Sequence, residues 1–127
     1  MKNTTAIVGL LLIVGASATA DEVVAVYVDG RQADFKPAAR VRDGKSYAPL
    51  RAISEALGAE VKWNAQAQMA IVCRGNMCVA IKKSDGIIVE DYLLVPLRIL
   101  SEALGAKIGW DRTRRAVIIK SPPGGAN

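Results

Sequence analysis

The chain has 127 residues, with 17 Lys plus Arg against 12 Asp plus Glu, a formal net charge of +5 and no histidine. Without imidazole there is no Ser-His-Asp or Cys-His catalytic group, no usual zinc or copper(II) site and no imidazole acid/base at neutral pH, so any chemistry would fall to carboxylates, Lys, Tyr or thiols. At 51% hydrophobic and 23% charged, the composition is that of an ordered globular protein of one-domain length.

At the N-terminus Lys2 supplies a positive charge, Ala6 to Ala16 is an uncharged and mostly apolar run, and Ala18-Thr19-Ala20 places small residues at both positions read before a signal-peptide cleavage site. The pattern predicts a signal peptide over 1–20 and a mature chain from Asp21 to Asn127, 107 residues with a charge of +4. An uncleaved anchor is the other reading, but the run is shorter than the roughly 18–20 residues that cross a bilayer. No Cys follows it to serve as a lipoprotein attachment point. The expectation is a secreted or extracytoplasmic protein, in the periplasm or at the cell surface, with no membrane span after cleavage.

Val23 to Val28 and Arg31 to Phe35 form a predicted hairpin around Asp29-Gly30, a dipeptide suited to the positive φ of a two-residue turn. Asp43-Gly44 repeats the device between Ala39–Arg42 and Lys45–Ala48. A helix of two to three turns follows, with Pro49 at its first position, where a missing N–H costs nothing, and Gly58 as the left-handed residue that ends it. Leu50, Ile53 and Leu57 make one apolar stripe, and a helix this short needs a sheet to lie on. Ala59–Trp63 and Met69–Cys73 are the strands of the next hairpin, around Asn64-Ala65-Gln66-Ala67.

Cys73 and Cys78 bracket Arg74 to Met77, and the apolar flanks predict a hairpin with a four-residue loop that sets the two Cys face to face. Opposed residues of an antiparallel pair lie within disulfide reach, and an exported chain meets an oxidising compartment, so a structural disulfide is predicted. Met69, Cys73, Met77 and Cys78 also form a soft-ligand set for copper(I), and a Cys pair can run thiol exchange. The spacing, however, lacks the Cys-x-x-Cys pattern of a low-pKa thiol. The closed loop is very short, so the disulfide should add less than about 3 kcal/mol, and a Cys73→Ala/Cys78→Ala variant should fold.

Asp85-Gly86 marks a turn ahead of the apolar strands near Ile87–Val89 and Tyr92–Val95. Pro96 and Gly105 then bound a second short helix with the stripe Leu97, Leu100 and Leu104. Lys107–Trp110 and Arg115–Lys120 close a last hairpin around Asp111-Arg112-Thr113-Arg114, and Ser121–Asn127 reads as a flexible tail.

Shifted by 47 residues, Pro49 to Ala59 falls on Pro96 to Ala106, Trp63 on Trp110 and Ile71 on Ile118; eleven of the twenty-five positions from 49 to 73 are identical. One supersecondary unit is used twice, each copy too small to bury its apolar face alone. The copies span about 38–73 and 85–120 within a domain of 21–120. The predicted class is α+β, an antiparallel sheet of several hairpins packed on two short helices and built from two ββαββ-like pseudo-repeats.

The string Val26-Tyr27-Val28-Asp29-Gly30, then Asp43 to Arg51, Ser54 to Ala59 and Val61 to Trp63, with its second copy at Val95 to Trp110, resembles the copper amine oxidase N-terminal domain-like family, also called stalk domains, of exported bacterial proteins. The likeness runs from about Val24 to Lys120. The stretch between the copies is compressed, and Cys73/Cys78 lies outside the common pattern. The resemblance implies an accessory domain without catalysis. The oxidase chemistry of such enzymes uses a tyrosine-derived quinone and copper on three histidines in a separate domain, and this chain has no histidine.

Few residues remain for binding. Trp63 and Trp110 recur in step with the repeat, as core or sheet-covering residues or, less simply, as a paired platform for sugar rings. Arg51/Glu55 and Arg98/Glu102 are i, i+4 pairs of the structural kind. Arg112, Arg114 and Arg115, near Lys107 and Lys120, concentrate positive charge where the first copy has Ala65, Ala67 and Gln68. This basic turn is the candidate contact for an anionic partner, with a solvated face as its plainer reading.

The expected function is a non-catalytic extracytoplasmic binding or scaffolding module that contacts an anionic cell-envelope polymer or an exported partner protein, with no cofactor, metal or nucleic acid. The alternatives are a small secreted inhibitor or accessory factor presenting Arg74 to Met77, and a copper(I) or thiol-active protein.

Overall fold

Each helix grows directly out of a strand. In the computed structural model, which describes residues 21–122, β5 (Lys45–Pro49) runs without a loop into α1 (Leu50–Ala56), and β10 (Tyr92–Pro96) runs likewise into α2 (Leu97–Ala103). Pro49 and Pro96 therefore sit one position earlier than expected, as N-caps with extended ψ of 127° and 124°. There they still pair with the neighbouring strand, so they serve the sheet as well as the helix. At the other end Gly58 and Gly105 take φ of +77° and +86°. Ala59 N–H donates to the Ser54 carbonyl and Gly58 N–H to the Glu55 carbonyl, and Ala106 and Gly105 repeat both bonds on Ser101 and Glu102. This is the paired hydrogen-bond closure that a left-handed glycine permits.

The remaining strands are β1 (Glu22–Val23), β2 (Ala25–Val28), β3 (Arg31–Ala33), β4 (Arg40–Arg42), β6 (Glu60–Asn64), β7 (Met69–Arg74), β8 (Met77–Lys82), β9 (Ile87–Val89), β11 (Lys107–Asp111) and β12 (Ala116–Lys120). The class is α+β, with mostly antiparallel pairing. Instead of one sheet, the strands form three, in the orders β1-β4-β5-β10-β9, β11-β12-β2-β3 and β6-β7-β8. One pair, β12 with β2, is parallel, because the N-terminal hairpin is inserted beside the last strand.

The register of the central sheet relates the two halves of the chain. β5 and β10 pair antiparallel with Ala48 opposite Val95, flanked by Tyr47 opposite Pro96 and Pro49 opposite Leu94. Ala48 and Val95 are 47 residues apart, so each sits opposite its own counterpart, and a local two-fold passes between them. Around it β4-β5-α1-β6-β7 and β9-β10-α2-β11-β12 follow the same order. The two stripes Leu50, Ile53, Leu57 and Leu97, Leu100, Leu104 are all buried, in one cluster with Val26, Val72, Ile81, Val117 and Ile119. Both halves thus share one core.

Two-residue turns join several hairpins. Asp29-Gly30 and Asp43-Gly44 have positive φ at both residues, as expected for their type. Asp85-Gly86 instead ends a single turn of 3₁₀ helix over Lys83–Asp85, and the left-handed turn before β10 falls on Glu90-Asp91. Gly86 is needed for space, since an added Cβ would run into the Leu94 carbonyl and lie 2.8 Å from Leu93 Cδ1. Ser121 is not loose: its N–H donates to Asp29 Oδ1 at 2.9 Å and its hydroxyl to Asp29 Oδ2 at 2.6 Å, which holds the Asp29 carboxyl below the ordinary range. The rest of the predicted tail, from 123, and the predicted signal peptide, 1–20, lie outside the described residues.

Candidate functional site

The Cys hairpin is tighter than predicted. Arg74 pairs with Met77 across a two-residue turn, Gly75-Asn76, with positive φ at Gly75. Cys73 and Cys78 are directly opposed with Cα atoms 4.1 Å apart and their sulfurs joined. Alternation along the strands puts Ala70, Val72 and Ile81 in the core and the disulfide on the opposite, outer face. Met69 pairs with Lys82 at the far end of the hairpin, about 13 Å from Cys73 at strand rise. Met77 points to the other face, its Cε next to Gly105. The four soft ligands are therefore not gathered into a site.

The basic turn is largely engaged within the protein. Arg115 Nε donates to Glu22 Oε2 at 2.6 Å and its guanidinium lies 5.7 Å from the Trp110 ring centre. Arg114 lies 5.1 Å from the Tyr27 ring centre, with Asp111 Oδ2 3.8 Å from its Nε. The turn is closed by Arg114 N–H on Asp111 Oδ1, as Ala67 N–H closes the matching turn on Asn64 Oδ1. Of the three arginines only Arg112 lacks an ion pair or ring contact among the described residues.

The two tryptophans are not core residues. Trp63 and Trp110 are 43% and 41% exposed. Each lies two residues beyond a core-packed neighbour, Val61 or Ile108, on the same face of its strand. A seven-residue helix is only about 10 Å long whereas a five-residue strand reaches about 17 Å, so the strand end overhangs its helix.

Under that overhang is an open groove of ≈ 650 Å³. Its walls come from α1, from β6 and from the β9–β10 hairpin, whose Ile88 and Tyr92 are 52% and 55% exposed. Pro49, Leu50, Ala52, Val61 and Leu93 make the apolar lining beside the Trp63 and Tyr92 rings. The polar groups are Lys36, Arg51, Lys83, Glu55 and Asp91. Arg98 donates to Glu102 on α2 at 3.2 Å, but the equivalent Arg51 and Glu55 on α1 form no ion pair among the described residues. The expected i, i+4 pairing thus holds in one helix only, and in the other both charged heads stay available to the groove.

Trp63 repeats in step with Trp110, and in the fold it lines one groove together with Tyr92. The signal for the groove lay in the repeat's mismatches: in the identical run Pro-Leu-Arg, the next residue is Ala52 in one copy and Ile99 in the other. A further smaller groove of ≈ 380 Å³ lies at the equivalent place over α2, lined by Gly44, Lys45, Ser46, Pro96, Arg98, Ile99 and Ile108. Among the described residues no group of three or more Cys, Asp or Glu is placed to hold a metal ion.

The copper amine oxidase N-terminal domain family matches residues 27–87 and 83–123, one span containing α1 and the other α2. The chain belongs to this family. A copper amine oxidase N-terminal domain is a non-catalytic, stalk-like domain. Comparison with curated proteins and with solved structures returned no match. No helix among the described residues of this copper amine oxidase N-terminal domain is long and apolar enough to cross a membrane.

Proposed function

We propose that this chain is a non-catalytic extracytoplasmic binding module that contacts an anionic cell-envelope polymer or an exported partner protein through the groove over α1. The observation that carries the reading is the exposed Trp63–Tyr92 wall beside the unpaired Arg51 and Glu55, on a domain of a non-catalytic family. Apolar rings left half in water with convergent polar groups are the ordinary make-up of a recognition site. The basic turn is a second contact through Arg112, with Arg114 and Arg115 bound to their own neighbours.

Co-sedimentation of the mature protein with the insoluble envelope fraction of its host, over a salt series, tests this. Pelleting that weakens with salt and is lost in Trp63→Ala/Tyr92→Ala makes the groove the contact; loss only in Arg112→Ala/Arg114→Ala/Arg115→Ala transfers it to the turn. No pelleting at any salt removes the polymer and sends the search to a soluble partner.

A further inference from the structure

We infer that the groove over α1 takes a carboxylate-bearing glycan, a pyranose ring lying against Trp63 or Tyr92 and its carboxylate held by Arg51. This rests on the binding-module reading and names the chemistry of its ligand. A pyranose presents a flat C–H face and an edge of hydroxyls, and the groove presents the same division: two half-exposed aromatic rings, ringed by charged groups. The groove is open and its polar heads are all exposed, which suits a ligand that keeps a hydroxyl edge in water. Three cations, Lys36, Arg51 and Lys83, face two carboxylates, Glu55 and Asp91, so the complementary ligand carries negative charge. Arg51 is the group for a carboxylate, because its planar fork donates two parallel bonds and no carboxylate among the described residues occupies it. Glu55, one turn on, accepts from ligand hydroxyls. Ala52 leaves the floor open between these groups and the rings; in the other half of the molecule Ile99 stands at that place.

The test titrates trigalacturonate and, separately, neutral chitotriose into the mature protein at low salt, following the Trp63 indole N–H resonance. The variants are Ala52→Ile, Trp63→Ala, Arg51→Gln and Arg112→Ala, the Trp63 variant being followed through the Arg51 side-chain resonance. The expected result is saturable binding of trigalacturonate at least about tenfold tighter than chitotriose, weakened about tenfold or more by Ala52→Ile and by Trp63→Ala. Arg51→Gln should bring trigalacturonate to the level of chitotriose, and Arg112→Ala should change little. Ile is accepted at this helix position in the other half, and matched thermal melts check folding; Trp63→Ala, at an exposed ring, carries the test if Ala52→Ile does not fold. No response to trigalacturonate up to about 10 mM, equal binding of the neutral sugar, or binding untouched by Ala52→Ile and Trp63→Ala overturns the inference. Envelope pelleting that persists alongside such a failure leaves the binding module standing and removes only the acidic glycan at this site.

Discussion

Over α1, Pro49, Arg51, Ala52 and Val61 face the β9–β10 turn with Asp91, Tyr92 and Leu93; over α2, the equivalent Pro96, Arg98, Ile99 and Ile108 face the β4–β5 turn with Gly44, Lys45 and Ser46. The two-fold between Ala48 and Val95 generates both grooves from one plan. They differ through a few side chains. The half-exposed Ile99 stands where the other half has Ala52, Lys45 replaces the Tyr92 ring, Glu102 occupies Arg98, and Arg115 lies over Trp110 where Gln68 has no such reach over Trp63. Core stripes and caps are alike in both halves, while the groove over α2 is smaller, ≈ 380 against ≈ 650 Å³, and its Arg98 is tied to Glu102. The larger groove, with two aromatic rings in its wall, belongs to one half.

The strongest way to break the comparison is through the shared core. Ile53→Ala and Leu100→Ala, at equivalent and fully buried sites, should each cost about 2–5 kcal/mol and leave a single unfolding transition in denaturant melts. Two separate transitions would show that the halves fold as units of their own. A smaller effect distinguishes the halves at their entry. Ala39 is buried in the first copy, and its equivalent in the second is Gly86, against the Leu94 carbonyl. Gly86→Ala should therefore cost about 1–3 kcal/mol by crowding, measured as a shift in the urea midpoint.

Ser54 and Ser101 are alike in both copies, fully buried with hydroxyls that have no hydrogen-bond partner among the described residues. Replacing either by Ala removes an unsatisfied group and should stabilise by up to about 1 kcal/mol; a loss would reveal a bond made in solution. The smallest expected effect is at the N-terminal edge. Arg42 donates to both Asp21 carboxylate oxygens, at 2.7 and 2.9 Å, and this holds the Asp21 carboxyl below its ordinary range. A depressed carboxylate contributes stability above its unfolded pKa and loses it as pH falls through the lower folded value. The Tm of the protein should thus fall more on acidification below the usual Asp range than that of Asp21→Asn, with the difference vanishing once the carboxyl is protonated in both states.

Much of this architecture is readable from local chemistry. Asp-Gly turns, the apolar stripes, the closing glycines and the opposed Cys pair each follow from constraints within a few residues, and the 47-residue repeat follows from comparing the chain with itself. Misreadings cluster where a residue's setting comes from distant chain. Whether Trp63 lies in the core or over its sheet turns on the length of α1 against β6, and the ring is left 43% exposed. The basic turn looked free because Glu22 and Tyr27, which hold Arg115 and Arg114, are over eighty residues away in the chain.

By itself the sequence determined the class, the two copies and their helix boundaries to within a residue, since propensities, caps and periodicity act locally. Only the tertiary structure decided that the strands divide into three sheets, that β2 joins β12 in parallel, and that Trp63 shares a groove with Tyr92. Those outcomes depend on which strand edges find each other across the chain, and edge pairing is set by how the shared core closes, which no single segment encodes.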